Sequence, residues 1–583
     1  MRTYATDTVG KVGETVIIKG WVNSRRDHGG LIFIDLRDHT GVVQLNIRPE
    51  QKAAFKTAEG LRDEFVVAAT GTVLEREEGL KNPNIATGTV EVKIDSLEVL
   101  NRSEALPIQI EGSAMANEDL RLKYRFLDLR RQKMQHMLKR RAEYYSRMRM
   151  FMEAHDFTEV ATPILANSSP EGARDFLIPS RIHAGKFYAL PQAPQQFKQL
   201  LMVGGVPRYY QLAACFRDED PRADRLYGEF YQLDLEMSFV DDGEEVRTMM
   251  EPLINQLVTD FAGKELLFNE GECPRIPYNE AVEKYGTDKP DLRFGMGLQE
   301  LTEELKDTEF AVFKNAEVVK AICVRGGATL SRSQIDRFTE IAKSEGAGGL
   351  AYITYENGEA KSPIAKFLKP AELEAIKTNL GAEDGDIVFF GADKRKVVNK
   401  VLGRLRNEFA DHFNLKDPNV IALCWIIDFP FYETDDKTGK LDFSHNPFSM
   451  PKGGLKALES DDKTSIVADQ YDMVMNGYEI CSGGVRNHNP EVMYKVFDIL
   501  GFDKEYVDAR FGAMINAFKY GAPPHAGCAF GIDRMFMVLM DEENIREIVA
   551  FPKNGSGVDT MMNSPNLVEV EQLDDLNIRI VER

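Results

Sequence analysis

Between residues 15 and 99 apolar and polar side chains alternate in five short runs, at 15–22, 31–36, 42–47, 65–74 and 90–99, divided by Gly, Asp and Pro turns. A period of two belongs to strands with one buried face. Five such strands at this spacing predict a small closed barrel of the OB type over residues 1–104. Residues 105–130, with Pro107 and scattered polar side chains, read as a hinge. The period then changes: Met134, Met137, Leu138, Tyr145, Met148 and Met152 recur at helical intervals, predicting one helix over 131–155. It runs into a strand stopped by Pro163, a helix and strand that suit packing against a second copy or within one core.

Further on, Phe216-Arg217-Asp218-Glu219 and the run from Glu229 through Asp234 to Glu236 are alternating, aromatic-rich strands on either side of a charged loop. Such a hairpin aims an arginine and several carboxylates at one volume, as a polyanion site or as surface ion pairs. Pro194 opens a helix that brings Gln195 and Lys198, three residues apart, onto one face. The segment 168–175 is small, flexible and charged, fit for a lid or a plain turn. From 288 to 415 alternating strands and lysine-rich helices suggest an inserted domain between the two parts of a larger one, 131–287 and 416–552, with an extension at 553–583. A buried strand is expected near 420–430. A strand over 471–480 carries Asp472 and Glu479 near its ends with opposite parity, so using both needs a bulge or a bridging ligand. Two carboxylates beside an arginine-held phosphate are a common way to hold Mg2+. Finally Gly531 closes a glycine-rich strand, and Asp533 and Arg534 open a helix.

The full chain has 583 residues, too many for one core and enough for about three or four domains. No apolar run spans a bilayer, and the N-terminus lacks the pattern of a signal peptide, so a soluble protein of the cytoplasm is expected, with no membrane role. Six scattered cysteines without a C-x-x-C pair read as reduced thiols. A formal net charge of −21 opposes indiscriminate nucleic-acid binding. A local exception runs from Arg121 to Arg149, where eleven Lys or Arg stand against two acids. That run is a solvated helix face or a surface for phosphates.

Taken together and in order, the strand ending at Pro163, the Phe216–Phe230 loop and Gly531-Ile532-Asp533-Arg534 resemble the three motifs of the class II aminoacyl-tRNA synthetases. With the barrel and Gln195-Gln196-Phe197-Lys198-Gln199, the likeness covers essentially the whole chain and is greatest to the aspartyl branch of bacterial type, which carries the inserted, GAD-like domain. The fold it implies is multidomain: an OB barrel, an antiparallel-sheet catalytic domain with helices, and an inserted α+β domain. The implied reaction joins L-aspartate to tRNA through an enzyme-bound aspartyl-adenylate made from ATP, with Mg2+, by positioning and electrostatics rather than a covalent enzyme intermediate.

By the same resemblance Arg217 bridges the α-phosphate and the substrate carboxylate. Arg534 holds the far phosphates and stacks on adenine, and Glu219 contacts the base; Arg217, Arg534 and Glu219 form the catalytic set. Asp218, Gly531, Ile532 and Asp533 complete the ATP site with Glu479, and Asp472 and Glu479 hold the metal. Lys198 and Arg486 meet the aspartate side chain, Gln195, Asp234 and Glu171 surround its amino end, and His445 lies in a closing loop. Phe33 and Gln44 match anticodon-reading residues, beside Arg26, although Phe33 also fits a barrel core. His28 and Gly79 resemble the relaxed form that charges both tRNA(Asp) and tRNA(Asn). The segment 225–230 departs from the commoner proline-containing form, so its ATP contact is not carried over. A homodimer is implied. The alternatives are an enzyme acting on tRNA(Asp) only and a non-catalytic OB-containing nucleic-acid binder.

Overall fold

The five alternating runs close on themselves. The computed structural model describes residues 2–112, 115–168, 173–268, 271–435 and 438–581, and the chain forms two compact units, Met1–Gln135 and His136–Arg583. In the first, β1 (Thr15–His28), β2 (Leu31–Arg37), β3 (Val42–Ile47), β4 (Val66–Glu75) and β5 (Val90–Asn101) form a closed barrel in the order β1-β2-β3-β5-β4. Its core takes every second residue, including Ile32, Ile34, Val43, Leu45, Val67 and Val92. The helix α1 (Lys52–Glu59) between β3 and β4 was not expected, being only 8 residues long.

The second unit is built on an eight-stranded sheet. Its strands in chain order are β6 (Thr158–Glu159), β7 (Arg208–Arg217), β8 (Gly228–Ser238), β9 (Arg275–Pro277), β15 (Leu423–Pro430), β16 (Val467–Met475), β17 (Tyr478–Val485) and β18 (His525–Gly531), with β10 to β14 lying in the segment between β9 and β15. They lie side by side as β9-β15-β16-β17-β18-β8-β7-β6. The six central strands are antiparallel, and each edge strand pairs parallel with its neighbour. The expected strand before Pro163 is only this two-residue edge. Three helices matter to the site: α2 (Gln132–Ala154), α3 (Gln195–Val203) and α5 (Ile532–Leu539), α4 being defined below. The buried stripe of α2 uses Tyr144, which is 0% exposed, where Tyr145 was expected.

Between β9 and β15 the chain makes a separate five-stranded antiparallel sheet. It contains β10 (Gln299–Glu300), β11 (Val318–Val324), β12 (Ala351–Glu356), β13 (Glu359–Lys361) and β14 (Ile387–Asp393), ordered β10-β11-β14-β12-β13. All of β11 is buried because apolar layers cover both faces, one of them carried by α4 (Arg395–His412).

At least eight of the eleven basic residues of the run make ion pairs, and two of those, Arg121 and Arg125, are buried. Arg121 and Arg125 are buried against Asp128, with Arg131 beside them, and Arg130 donates to Glu64 at 2.8 Å. In the second unit Arg141 pairs with Asp533, Arg140 and Arg147 with Glu143, and Arg149 with Glu159. Lys123, Lys133, Lys139 and Arg149 are exposed, so the run is part ion-pair cluster and part solvated face; its buried guanidiniums have the carboxylate partners they need. No described helix is long and apolar enough to cross a membrane, and the six cysteines are free thiols.

Candidate active site

Two neighbouring cavities share a wall in the eight-stranded sheet. The smaller, of about 120 Å3, is lined by Gln195, Lys198, Asp234, His445 and Arg486 among others. The larger, of about 500 Å3, is lined by Glu219, Lys289, Glu479, Asp533 and Arg534, with Gly531 at the strand end. Arg217, Gln232, Ser482 and Ala529 line both. Arg217 is the last residue of β7, opposite Gly228 on β8, so the hairpin carries it to the boundary. Its guanidinium stands 5.0 Å over the Phe230 ring, and its buried Nε has no hydrogen-bond partner. Among the described residues no carboxylate pairs with it, leaving a cation ready for two anions.

The smaller cavity is a cluster of four buried charges. Lys198 Nζ donates to Asp234 Oδ1 at 2.6 Å and lies 3.4 Å from Glu236 Oε2, while Arg486 holds Glu236 at 2.9 and 3.2 Å. None of the four side chains is more than 2% exposed. Burial disfavours the charged form of both acids, and it raises the Asp234 carboxyl although Lys198 opposes it. For Glu236 burial is outweighed by Arg486 and Lys198, which bring its carboxyl below the ordinary value. The Tyr209 hydroxyl bears on the Asp234 carboxyl, whose buried Oδ2 makes no hydrogen bond of ordinary geometry among the described residues. A small ligand carrying an ammonium group and two carboxylates would find acceptors and donors here.

Alternation on β8 and one helical turn of α3 bring these groups together. Behind them Gln195 Nε2 donates to Gln199 Oε1 at 3.0 Å, and Gln199 Nε2 lies 3.0 Å from His525 Nε2. His525 Nδ1 donates to the Pro523 carbonyl at 2.8 Å, which fixes the tautomer and makes Nε2 the acceptor. Burial lowers the His525 imidazole, and likewise His445, whose ring packs edge-on against Phe429 at 5.0 Å.

On the larger cavity Arg534 Nη1 donates to the Glu479 carbonyl at 2.8 Å, and Nη2 lies 3.3 Å from Asp224 Oδ2. Glu219 pairs with Arg225. Two expected ATP residues face elsewhere. Asp218 is held by the Tyr227 hydroxyl at 3.2 Å and lies 3.5 Å from Arg174, and Ile532 is 0% exposed in the core under the sheet. The Asp533 carboxylate accepts from Arg141 and from the Tyr231 N–H, so it braces α5 against α2 and β8.

The single strand expected at 471–480 is a hairpin. Asp472 lies on β16 opposite Ser482, Glu479 lies on β17 opposite Val474, and the register shifts between Met473 and Val474. The parity conflict disappears because the two carboxylates belong to adjacent strands. Burial and Glu479 raise the Asp472 carboxyl well above its ordinary value against the opposing Ser482 hydroxyl, and among the described residues its Oδ1 is buried with no hydrogen bond of ordinary geometry. Glu479 is held down against burial by Lys289, whose Nζ is 3.0 Å from Oε2. Two oxygen donors with one orphaned atom fit a hard divalent cation. No group of three or more His, Cys, Asp or Glu among the described residues forms a metal cage.

In the barrel Phe33 is half-buried on the outward face of β2, with Arg26 opposite on β1 and Gln44 diagonal on β3. This excludes it from the core. Arg26 donates to Asp35 at 2.8 Å and Gln44 to Glu91 at 3.1 Å. His28, the last residue of β1, and Gly79, in a single 3-10 turn at Glu78–Leu80, are both exposed. Glu171 lies outside the described residues. Sequence reasoning missed Glu236, Gln232, Ser482, Lys289, Asp224 and the Gln199–His525 pair. Only Glu236, two residues beyond Asp234 on the same strand face, carried a readable signal.

A profile of tRNA synthetases class II (D, K and N) matches residues 117–555, and one of the OB-fold nucleic acid binding domain matches 16–100. The chain belongs to the class II tRNA synthetases of the D, K and N group. Among its relatives, the Aspartate--tRNA(Asp/Asn) ligase of Chlorobium chlorochromatii is 50% identical over 97% of this chain and 93% of that protein. The protein of the same name from Rickettsia bellii is 50% identical over 98% of this chain and 96% of its own. In fold the chain resembles a putative aspartyl-tRNA synthetase from Leishmania major (TM-score 0.59, 20% identity, 95% of this chain and 94% of that one). It also resembles the asparaginyl-tRNA synthetase of Pyrococcus horikoshii in complex with asparaginyl-adenylate (TM-score 0.56, 19% identity, 95% and 98%).

Proposed function

We propose that this chain attaches L-aspartate to tRNA(Asp) and to tRNA(Asn) in two steps, forming aspartyl-adenylate from ATP and then aspartyl-tRNA. The observation that carries the reading is Arg217, a guanidinium with no carboxylate partner among the described residues, on the wall common to a small cavity holding Lys198 and Arg486 with their two acids and a larger one. There it neutralises the aspartate α-carboxylate and the α-phosphate together and holds them for in-line attack. Lys198 and Arg486 receive the side-chain carboxylate. Asparagine would leave that pair short of charge, which supports discrimination by a stranded buried group. Asp234 and Gln195, with Glu171, take the ammonium group, and His445 covers the cavity. Arg534 takes the outer phosphates, and Glu219 the base.

Asp472 and Glu479 would hold Mg2+, which when bound neutralises phosphate charge. Phe33, Gln44 and Arg26 would read the anticodon by stacking and edge contacts. The double specificity is supported by the names of the relatives and by His28 and Gly79. A cytoplasmic homodimer is part of the same reading.

The test is aspartate-dependent ATP–pyrophosphate exchange followed by transfer to each purified tRNA. Exchange with transfer to both is expected; strict refusal of tRNA(Asn) overturns the double specificity, and absence of exchange overturns the enzyme.

A further inference from the structure

Asp472 and Glu479 face a problem before any substrate arrives. Two carboxylates on adjacent strands, one of them 6% exposed, gather negative charge at one end of the larger cavity. The cation that answers this comes from an unexpected place. Lys289 lies between β9 and the five-stranded sheet, in the segment Asp288-Lys289-Pro290. Its side chain is half-buried on the wall of the larger cavity, and Nζ sits 3.0 Å from Glu479 Oε2, with Asp288 Oδ2 3.5 Å away.

The backbone that carries Lys289 is fixed from both sides. Its N–H donates to Thr287 Oγ1 at 3.1 Å, and Pro290 restricts its conformation. The turn between β16 and β17 packs directly on it: a Cβ at Gly477 would stand 3.8 Å from the Lys289 carbonyl oxygen and 3.4 Å from Asp291 Cβ. From the other side Arg406 of α4, 0% exposed, gathers the Asp291, Phe294 and Gly295 carbonyls at 2.8, 2.9 and 3.0 Å. The segment entering the five-stranded sheet is thereby held against the hairpin that bears the carboxylates.

We propose that Lys289 is the resident counter-cation of the Asp472–Glu479 pair, neutralising it in the empty site and yielding to a divalent cation that arrives with nucleotide phosphates. This rests on the metal reading given above. Among the described residues no third His, Cys, Asp or Glu joins the pair in a metal-holding group. With the lysine in place a bare cation must displace a charge already there, whereas a cation bearing a triphosphate brings ligands of its own and offers the lysine an anion in exchange. The site thus favours the metal–nucleotide complex over the free ion.

The test is Mn2+ binding to the full chain, followed by electron paramagnetic resonance with and without a non-hydrolysable ATP analogue. For Lys289→Met the expected result is bare Mn2+ binding at least about tenfold tighter than wild type, because the ion then has no resident cation to displace. Lys289→Gln should behave likewise and serves if the first variant folds poorly, while Lys289→Arg should bind as wild type does. If Mn2+ binds wild type with the analogue but Lys289→Met and Lys289→Gln bind the bare ion no better than wild type, this inference alone fails. If wild type binds no Mn2+ even with the analogue, or Glu479→Gln binds it unchanged, the metal reading itself fails and takes the inference with it.

Discussion

Arg486 grips Glu236 at two points, Nε to Oε1 at 2.9 Å and Nη2 to Oε2 at 3.2 Å, with both side chains buried. On the proposed reading the ligand carboxylate would share Arg486 and Lys198 with Glu236, which already holds both. The resident acid fixes the direction of the guanidinium, and the ligand supplies the charge still missing. Lys198→Leu or Arg486→Leu should lower kcat/KM for aspartate in pyrophosphate exchange by about 10³-fold or more. Binding of an ATP analogue, measured by calorimetry, should stay within about threefold, since neither residue lines the larger cavity. A urea midpoint separates lost binding from lost folding.

Acid should unfold the second unit partly through His525. Burial holds its imidazole below the ordinary value, so on acidification the unfolded chain takes up this proton first. Below about pH 6.5 the unfolded state then binds more protons than the folded one, and stability falls as pH falls. His445 acts in the same direction. The raised carboxyls of Asp234 and Asp472 have the opposite sign, losing stability as pH rises, so the comparison has to be between variants. Thermal midpoints of His525→Gln should fall less steeply than those of wild type between about pH 7 and 5.5; parallel curves would contradict the assignment.

Tyr227, in the segment that departs from its family's common form, is held from the C-terminal side. A Cβ at Gly557 would stand 3.1 Å from its ring, at a φ of +74°, and the Ile545 N–H donates to the Ala223 carbonyl at 2.8 Å. Gly557→Val should push the ring aside and disturb Arg222 and Arg225, which line the larger cavity. The expected result is a KM for ATP raised by about three- to tenfold with KM for aspartate little changed. Steady-state exchange kinetics distinguish this from general destabilisation, which would lower active enzyme and leave both KM values alone.

Much of this arrangement is readable before folding, for a local reason. Alternation alone outlines the barrel, because each of its strands has one wet face. The hairpin carrying Arg217 is visible from its paired aromatic runs, and Gln195 with Lys198 from helical spacing. The hairpin of β16 and β17 was hidden by its apolar flanks, although Asn476-Gly477 is a tight-turn dipeptide; both residues adopt positive φ, +50° and +86°. Lys289 and His525 reach the site only by tertiary folding, and no spacing announces them. That the side chains of Asp218 and Ile532 turn away from the larger cavity was not legible, because neighbours on a strand or helix point in different directions.

The wall shared through Arg217 also governs what the protein holds between its two half-reactions. A molecule that fills both cavities at once, as a joined aspartyl and adenylyl group would, has each half presented to its cavity at the high local concentration set by the bond to the other half. It is released only when both ends let go together, so the joined intermediate is retained far longer than either substrate alone, and the enzyme can wait for its tRNA.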